Sequence, residues 1–391
     1  MESSKKILIV SDACYPELTP RAFRTTELAR ELAREGHHVT LLIPNRQVFL
    51  ECPLQQEGLK IIYADTPVEH AGGNSVARRN RSIRKLVPRF AQRIILYFYC
   101  HELFAKYNPG IYRRLMQLQE PFDAILSIAY PVAIHRAVTQ ALHKNSHLAG
   151  AVRIAEFSDP PFRGDVAGSV FPAYNLFLKQ WGKVFDYFTI PVKKALPCYT
   201  PYIDQKRIEI IPQGFNLDAI KIPPYVPNSK PTFAYAGRFY TQIRDPEFFF
   251  EFLKNVESDF QFDLYINYLE PRFAEMIRDA QQHVRGKIVL HDALPRETLI
   301  QRLATADFLI NFDNTTAHAT PSKLIDYAMT HRPVLSFNER TFRPEAFTAA
   351  LHGDYSAQTE LPDLSQYDIR NIAAQFLELI RKGSQHKNRL H

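Results

Sequence analysis

KILIVSDACYPELTPRAFRTTELARELAREGHHVTLLIP, residues 6–44, is the stretch whose reading decides the fold. Its first six residues form an almost unbroken apolar run, as expected of a strand covered on both faces. A polar loop follows. FRTTELARELAREGHH then repeats its apolar residues at helical spacing and stops at Gly36, a residue suited to a helix end. VTLLIP is a second covered strand. Strand, helix, strand is the unit from which parallel, doubly wound sheets are built.

Working outward, the same alternation recurs. LKIIYAD, DAILSIA, GAVRIAEFSD, VFDYFTIP and RIEIIPQGF read as further strands, and PVAIHRAVTQALHK reads as a helix. Residues 220–231, IKIPPYVPNSKP, are proline-rich and aperiodic, which predicts a linker. Beyond it the alternation restarts with TFAYAG, FDLYIN, KIVLHD, DFLINF and PVLSF as strands, separated by helical segments. The expected architecture is α/β, with two Rossmann-like doubly wound domains facing a cleft. The boundaries are 1–219 for the N-terminal domain, 220–231 for the linker and 232–366 for the C-terminal domain. A helix and tail over 367–391 are expected to pack back on the N-terminal domain.

A chain of 391 residues exceeds one ordinary core, which agrees with two domains. The formal charge of +7 favours anionic partners. Cys14, Cys52, Cys100 and Cys198 are scattered, which argues against a zinc site or a disulfide framework and fits a reducing compartment. MESSKKILIVSD is unlike a signal peptide, and IILYFYCHELF is broken by His101 and Glu102 and too short to span a bilayer. The expectation is a cytoplasmic protein. One segment breaks the alternation. From Arg78 to Arg93 it carries seven Arg or Lys and no acid, next to an apolar strip. Such a stretch suits a peripheral contact with an anionic membrane surface on its inner face, or simply a solvated basic face; Pro88 divides it. No nucleic-acid motif accompanies the charge.

Two clusters in the second domain carry chemistry. FAYAGRFYTQIRDPEFF ends a strand at Gly237 and places Arg238 and Arg244 in the following loop, where ligand loops of such sheets lie. Two arginines there suit phosphate oxygens, or are merely solvated. In TPSKLIDYAM, Thr320 or Ser322 can cap a helix whose first turn holds Pro321. The free amides of Ser322, Lys323 and Leu324 there suit an anion. Asp326, a turn further in, can accept hydrogen bonds from a sugar diol. Together these residues read as a diphosphate site with a neighbouring ribose contact. On the other domain, Asp159 ends a strand and Arg24 lies one turn into the first helix; each is a candidate to face an acceptor, or a plain cap and a plain helix residue.

These motifs, in this order, resemble the family-4 glycosyltransferases of the GT-B fold. The similarity rests on AGR with a basic residue shortly after, PSKLIDYAMTHRPVLS, RIEIIPQGFNLDAI, ALPRETLIQRLATADFLI, YPELTPRAFRTTELARELAREGHHVTLL and RIAEFSDPPF, and it spans nearly the whole chain. The chain departs from the family pattern at Leu18-Thr19-Pro20, where a Gly-Gly is usual, at Ser158, where many relatives carry His, and at His318, where they carry Glu.

The resemblance implies a retaining, metal-independent hexosyltransferase that uses no cofactor. It would move a sugar from a nucleotide-diphosphate donor, UDP rather than GDP, to a glycan or lipid-linked acceptor in polysaccharide biosynthesis. It assigns donor binding to Arg238, Arg244, Ser322, Lys323, Leu324 and Asp326. Asp159 would orient the acceptor, with Arg24 beside it. No residue is assigned to a metal. The alternatives are a non-catalytic binding subunit for a nucleotide-sugar or carbohydrate, motivated by the departures, and a nucleotide-sugar epimerase of the same architecture.

Overall fold

The computed structural model describes residues 3–17, 19–68, 108–129, 132–158, 174–241, 243–266, 268–313 and 323–389. The chain divides into two compact units, Met1–Phe215 with Gln366–His391, and Asn216–Ser365.

The first unit is built on a seven-stranded, all-parallel sheet. Its strands are β1 (Lys6–Val10), β2 (His38–Ile43), β3 (Leu59–Tyr63), β4 (Ala124–Ala129), β5 (Val152–Phe157), β6 (Tyr187–Ile190) and β7 (Ile208–Ile210), in the order β3-β2-β1-β4-β5-β6-β7. The register runs Ile7 against Val39 on one side of β1 and against Ala124 on the other. Helices α1 (Pro20–Arg34), α2 (Gln47–Glu51), α3 (Asn108–Met116), α4 (Ala133–Leu142) and α5 (Tyr174–Val184) connect the strands. Thr19 caps α1, its hydroxyl accepting from the Ala22 amide. Because both faces are covered, alternate strand residues enter two cores. Leu8 and Val10 pack on one face with Ile134 and Trp181; Ile7 and Ile9 pack on the other with Leu28 and Phe376.

The second unit carries a five-stranded parallel sheet of β8 (Thr232–Ala236), β9 (Gln261–Tyr265), β10 (Lys287–His291), β11 (Phe308–Phe312) and β12 (Val334–Phe337), in the order β10-β9-β8-β11-β12. Its helices are α6 (Glu247–Leu253), α7 (Pro271–His283), α8 (Arg296–Leu303), α9 (Lys323–Met329) and α10 (Pro344–Leu351). One face of the sheet is a phenylalanine core. Phe233 stacks on Phe262 and Phe308 at centroid distances of 4.5 and 5.2 Å, and Phe249 packs edge-on against Phe312 and Phe347.

Residues 220–231 are fastened to the second unit. Ile220 is buried against Ile300 and Met329. The Asp307 carboxylate accepts from the Tyr225 hydroxyl at 2.6 Å, the Asn228 amide at 3.2 Å and the Thr232 amide at 2.7 Å. A proline-rich composition cannot show this, because the anchor lies some eighty residues downstream. The C-terminal helix α11 (Ile369–Asn388) belongs to the first unit, where Ile372, Phe376 and Ile380 complete the core beneath α1. Gly383 lets it pass close over β5: a Cβ there would lie 2.6 Å from Val152 Cγ1. Among the described residues no helix is long and apolar enough to cross a membrane.

Candidate functional site

In the second sheet the chain leaves β8 toward β9 on one side and returns to β11 on the other, so β8 and β11 flank a switch point. Loops diverge there and leave a crevice at the carboxyl ends of the strands. β8 ends at Ala236. Its neighbour Gly237 adopts φ +149°, and a Cβ would lie 2.9 Å from Tyr235 Oη and 3.0 Å from Lys323 Nζ. Glycine is therefore required twice, for the backbone and for the approach of the lysine.

Tyr327 sets that approach. The Gly237 amide donates toward β9, to the Tyr265 carbonyl, so the Ala236 peptide groups face the β11 side. The β8–β11 pairing has already stopped at Ala234 and Leu309. The fully buried Tyr327 hydroxyl takes the place of a strand there. It accepts from the Ala236 amide at 2.9 Å and donates to the Ala236 carbonyl at 3.2 Å. Lys323 precedes Tyr327 by one helical turn on the same face of α9.

Lys323, the Arg238 carbonyl and Arg244 meet around the Tyr235 hydroxyl. Lys323 Nζ donates to Tyr235 Oη at 3.2 Å and lies 4.4 Å from the ring centroid. Tyr235 Oη donates to the Arg238 carbonyl at 3.2 Å, and Arg244 Nη1 donates to the same carbonyl at 3.3 Å. A backbone bridge between Tyr240 and Arg244 folds the loop back on itself. The Arg238 guanidinium lies over the rings of Tyr268 and Tyr240, at 4.3 and 4.9 Å, and pairs with Glu270 at 3.4 Å. Arg238 Nε has no hydrogen-bond partner among the described residues. Burial, then the charge of Arg244, hold the Lys323 ammonium well below its ordinary 10.5, with Asp313 pulling the other way. Burial also raises the Tyr235 phenol. A buried lysine beside an arginine makes a site whose free energy falls when an anion arrives.

Asp326 lies on the next turn of α9, but its Oδ1 is already taken by Arg296, at 2.9 Å from Nε and 2.6 Å from Nη2. Burial raises its carboxyl, against the pull of Arg296. Leu324 packs with Ala234 and Leu309 beneath the helix. Ser322, with Thr320, Pro321 and His318, lies outside the described residues. Among the described residues no group of acids, His and Cys is placed to hold a metal ion.

Arg24 does not face outward. It is 2% exposed, and its guanidinium is spent inside the first unit, on Glu156 at 3.2 Å and the carbonyls of Pro212 and Ile211 at 2.6 and 2.8 Å. The acceptor contact read for it from helical position alone is corrected by this burial. Ser158 donates to the Ala129 carbonyl at 2.9 Å. Asp159, Leu18 and the basic segment 78–93 lie outside the described residues. Sequence reading also missed Tyr235, Tyr327, Arg296 and Asp313. The two tyrosines look like core aromatics, and only the Ala-Gly strand end before Arg238 hinted that polar groups gather there.

No family model matches the chain, and no curated protein matches it. Solved structures do. A glycosyltransferase from Rickettsia africae superposes with a TM-score of 0.58 over 98% of this chain and 99% of its own, at 14% identity. HepE of Anabaena in complex with UDP-glucose gives 0.54 over 98% and 99%, at 9% identity. The chain has the GT-B fold. A putative UDP-N-acetylglucosamine 2-epimerase from Listeria monocytogenes is similar too, at 0.55 over 98% of each chain and 13% identity. In this GT-B chain, the cation cluster stands at the carboxyl edge of the second of its two parallel sheets.

Proposed function

We propose that this chain is a glycosyltransferase that takes its sugar from a nucleotide-diphosphate donor. The observation that carries the proposal is the convergence of Lys323 and the Arg244 guanidinium on Tyr235 and the Arg238 carbonyl at the switch point of the second sheet, with the Arg238 guanidinium in the same loop. A diphosphate has the charge and the size to relieve it. The HepE structure, solved with UDP-glucose, supports UDP as the nucleotide. In the reaction, the bond between sugar and diphosphate breaks and negative charge grows on the leaving phosphate. Fixed cations in a half-buried site favour that charge without reorganising. We assign leaving-group stabilisation to these side chains without a metal or other cofactor, and we read the transfer as retaining. The donor oxygen would take the proton of the incoming hydroxyl, and a glycan or lipid-linked chain would supply that hydroxyl. Asp326 is proposed to meet the ribose through the oxygen that Arg296 leaves open, and Asp159 to orient the acceptor. Cytoplasmic residence, with the segment 78–93 on an anionic membrane, completes this reading.

Calorimetric titration of UDP tests the donor site. Arg244→Ala or Arg238→Ala should weaken binding by about 1.5–3 kcal/mol, the range of a charge-assisted hydrogen bond. Unchanged affinity in both variants would remove the assignment. Similarity to the Listeria protein favours one second reading, a nucleotide-sugar epimerase. Incubation with UDP-sugar separates the two. An epimer formed without acceptor supports the second, and a UDP release that requires acceptor supports the first.

A further inference from the structure

Next to the cation cluster, a cavity of about 600 Å³ opens at the carboxyl ends of β8, β11 and β12. Arg244 belongs to both. The other walls that matter are Phe248, Phe312, Asp313, Asn338 and Glu339. We propose that this cavity receives the sugar ring of the donor and selects an uncharged or amino-bearing hexose over a uronic acid or phosphorylated sugar. The inference rests on the donor reading above.

Three features of the lining point to a sugar. The first is a carboxylate held in a fixed orientation. Asp313 Oδ1 accepts from the Asn311 amide at 2.7 Å and from the Ser336 hydroxyl at 2.8 Å. Asn311 itself is fully buried, so the support is rigid. Oδ2 has no partner among the described residues, which leaves it as an acceptor for a hydroxyl or an ammonium group. The second is an amide. Asn338 Oδ1 accepts from the Arg340 backbone at 3.0 Å, which fixes the side chain and leaves its NH₂ a donor without a partner among the described residues. The third is Phe248, a half-buried ring whose centroid lies 6.4 Å from that of the fully buried Phe312. Aromatic faces suit the C–H side of a pyranose, and fixed polar groups suit its hydroxyls.

Charge supplies the selection. Arg272 is paired with Asp245 at 2.7 Å and Glu247 at 2.6 Å, so it does not offer itself to an anion. Asp313 and Glu339 have no ion pair among the described residues. A carboxylate or phosphate on the sugar would meet both, with Arg244 already engaged by the diphosphate. A like charge beside the half-buried Asp313 is penalised, and the exposed Glu339 adds a smaller, screened repulsion.

The test titrates the full chain with UDP, UDP-glucose, UDP-N-acetylglucosamine and UDP-glucuronate. UDP-glucuronate should bind at least about tenfold more weakly than UDP-glucose. Asp313→Asn, which preserves shape, and Asn338→Ala should each lower the preference for UDP-glucose over UDP by about three- to tenfold. Taking the preference as a ratio cancels any effect the variants have on the diphosphate. Equal binding of glucuronate, or ratios unchanged in both variants while UDP still binds, would overturn the sugar pocket and leave the donor site standing. Failure of UDP itself to bind would overturn the donor reading and this inference with it.

Discussion

Replacing Tyr327 by phenylalanine removes one oxygen and keeps the ring. The site is fully buried, and that oxygen serves both peptide groups of Ala236 where the strand ladder has ended. The loss strands a buried N–H, at about 1–3 kcal/mol, and weakens one carbonyl by about another 0.5–1 kcal/mol. The ring still fills its volume, so little cavity cost is added. The sum is about 1.5–4 kcal/mol, which for a unit of this size lowers the midpoint of thermal unfolding by about 3–16 °C. Scanning calorimetry should find the transition of the second unit shifted and that of the first unit in place. UDP affinity should fall as well, because Lys323 stands one turn up the same helix. A variant within about 0.5 kcal/mol of wild type would refute the claim that the phenol closes the ladder.

Three further outcomes follow from the electrostatics. UDP binding should take up a proton in the window between the depressed value of Lys323 and its ordinary 10.5, because the diphosphate restores the ammonium that burial and Arg244 disfavour. Affinity should then fall as pH rises through that window. Titrations in two buffers of different ionisation heat, repeated at a series of pH values below 10.5, measure the uptake, and none at any of them, or an equal uptake in Lys323→Gln, sinks the argument. The same shift means the unfolded chain holds more protons than the folded one there, so this group's contribution to stability rises as pH climbs toward 10.5. Finally, Arg24→Met should cost about 3–5 kcal/mol by leaving Glu156 buried and unneutralised. The double variant Arg24→Met with Glu156→Gln should recover part of that loss in urea unfolding; a double variant worse than the sum of its parts would count against the pair.

How far the sequence could be read depends on the range of the interaction. Strands such as Lys6–Val10 and Phe308–Phe312 were legible because a strand covered on both faces needs an unbroken apolar run, a local property. The gathering of Arg238, Arg244 and Lys323 was legible for a similar reason. Ligand loops of these sheets follow strand ends, and AGR marks one. Arg24 was not legible. Its partners Glu156 and Ile211 stand 132 and 187 positions away, and nothing within a helical turn distinguishes it from a solvated arginine. The fastening of 220–231 failed to show for the same reason: its anchor is Asp307, a residue with the look of an ordinary strand-end acid.

Asp326 sharpens the point. Read locally, a first-turn carboxylate in α9 is free to take a diol. In the fold, Arg296 from α8 holds one of its oxygens at 2.6 Å, and burial raises its carboxyl. These facts pull in opposite directions. An acid made easier to protonate by burial is a poor acceptor, and an arginine at bonding distance keeps it ionised and fixes its orientation. A ribose contact therefore depends on Arg296 as much as on Asp326. The arginine does for the carboxylate what Asn311 and Ser336 do for Asp313: it commits one oxygen and aims the other. Each acid is aimed by a support from another element, Arg296 of α8 for Asp326 and Ser336 of β12 for Asp313, with Asn311 of β11, the strand that leads into Asp313, adding to the second. A local motif can nominate such an acid, but only the packing of those elements decides which of its oxygens remains open.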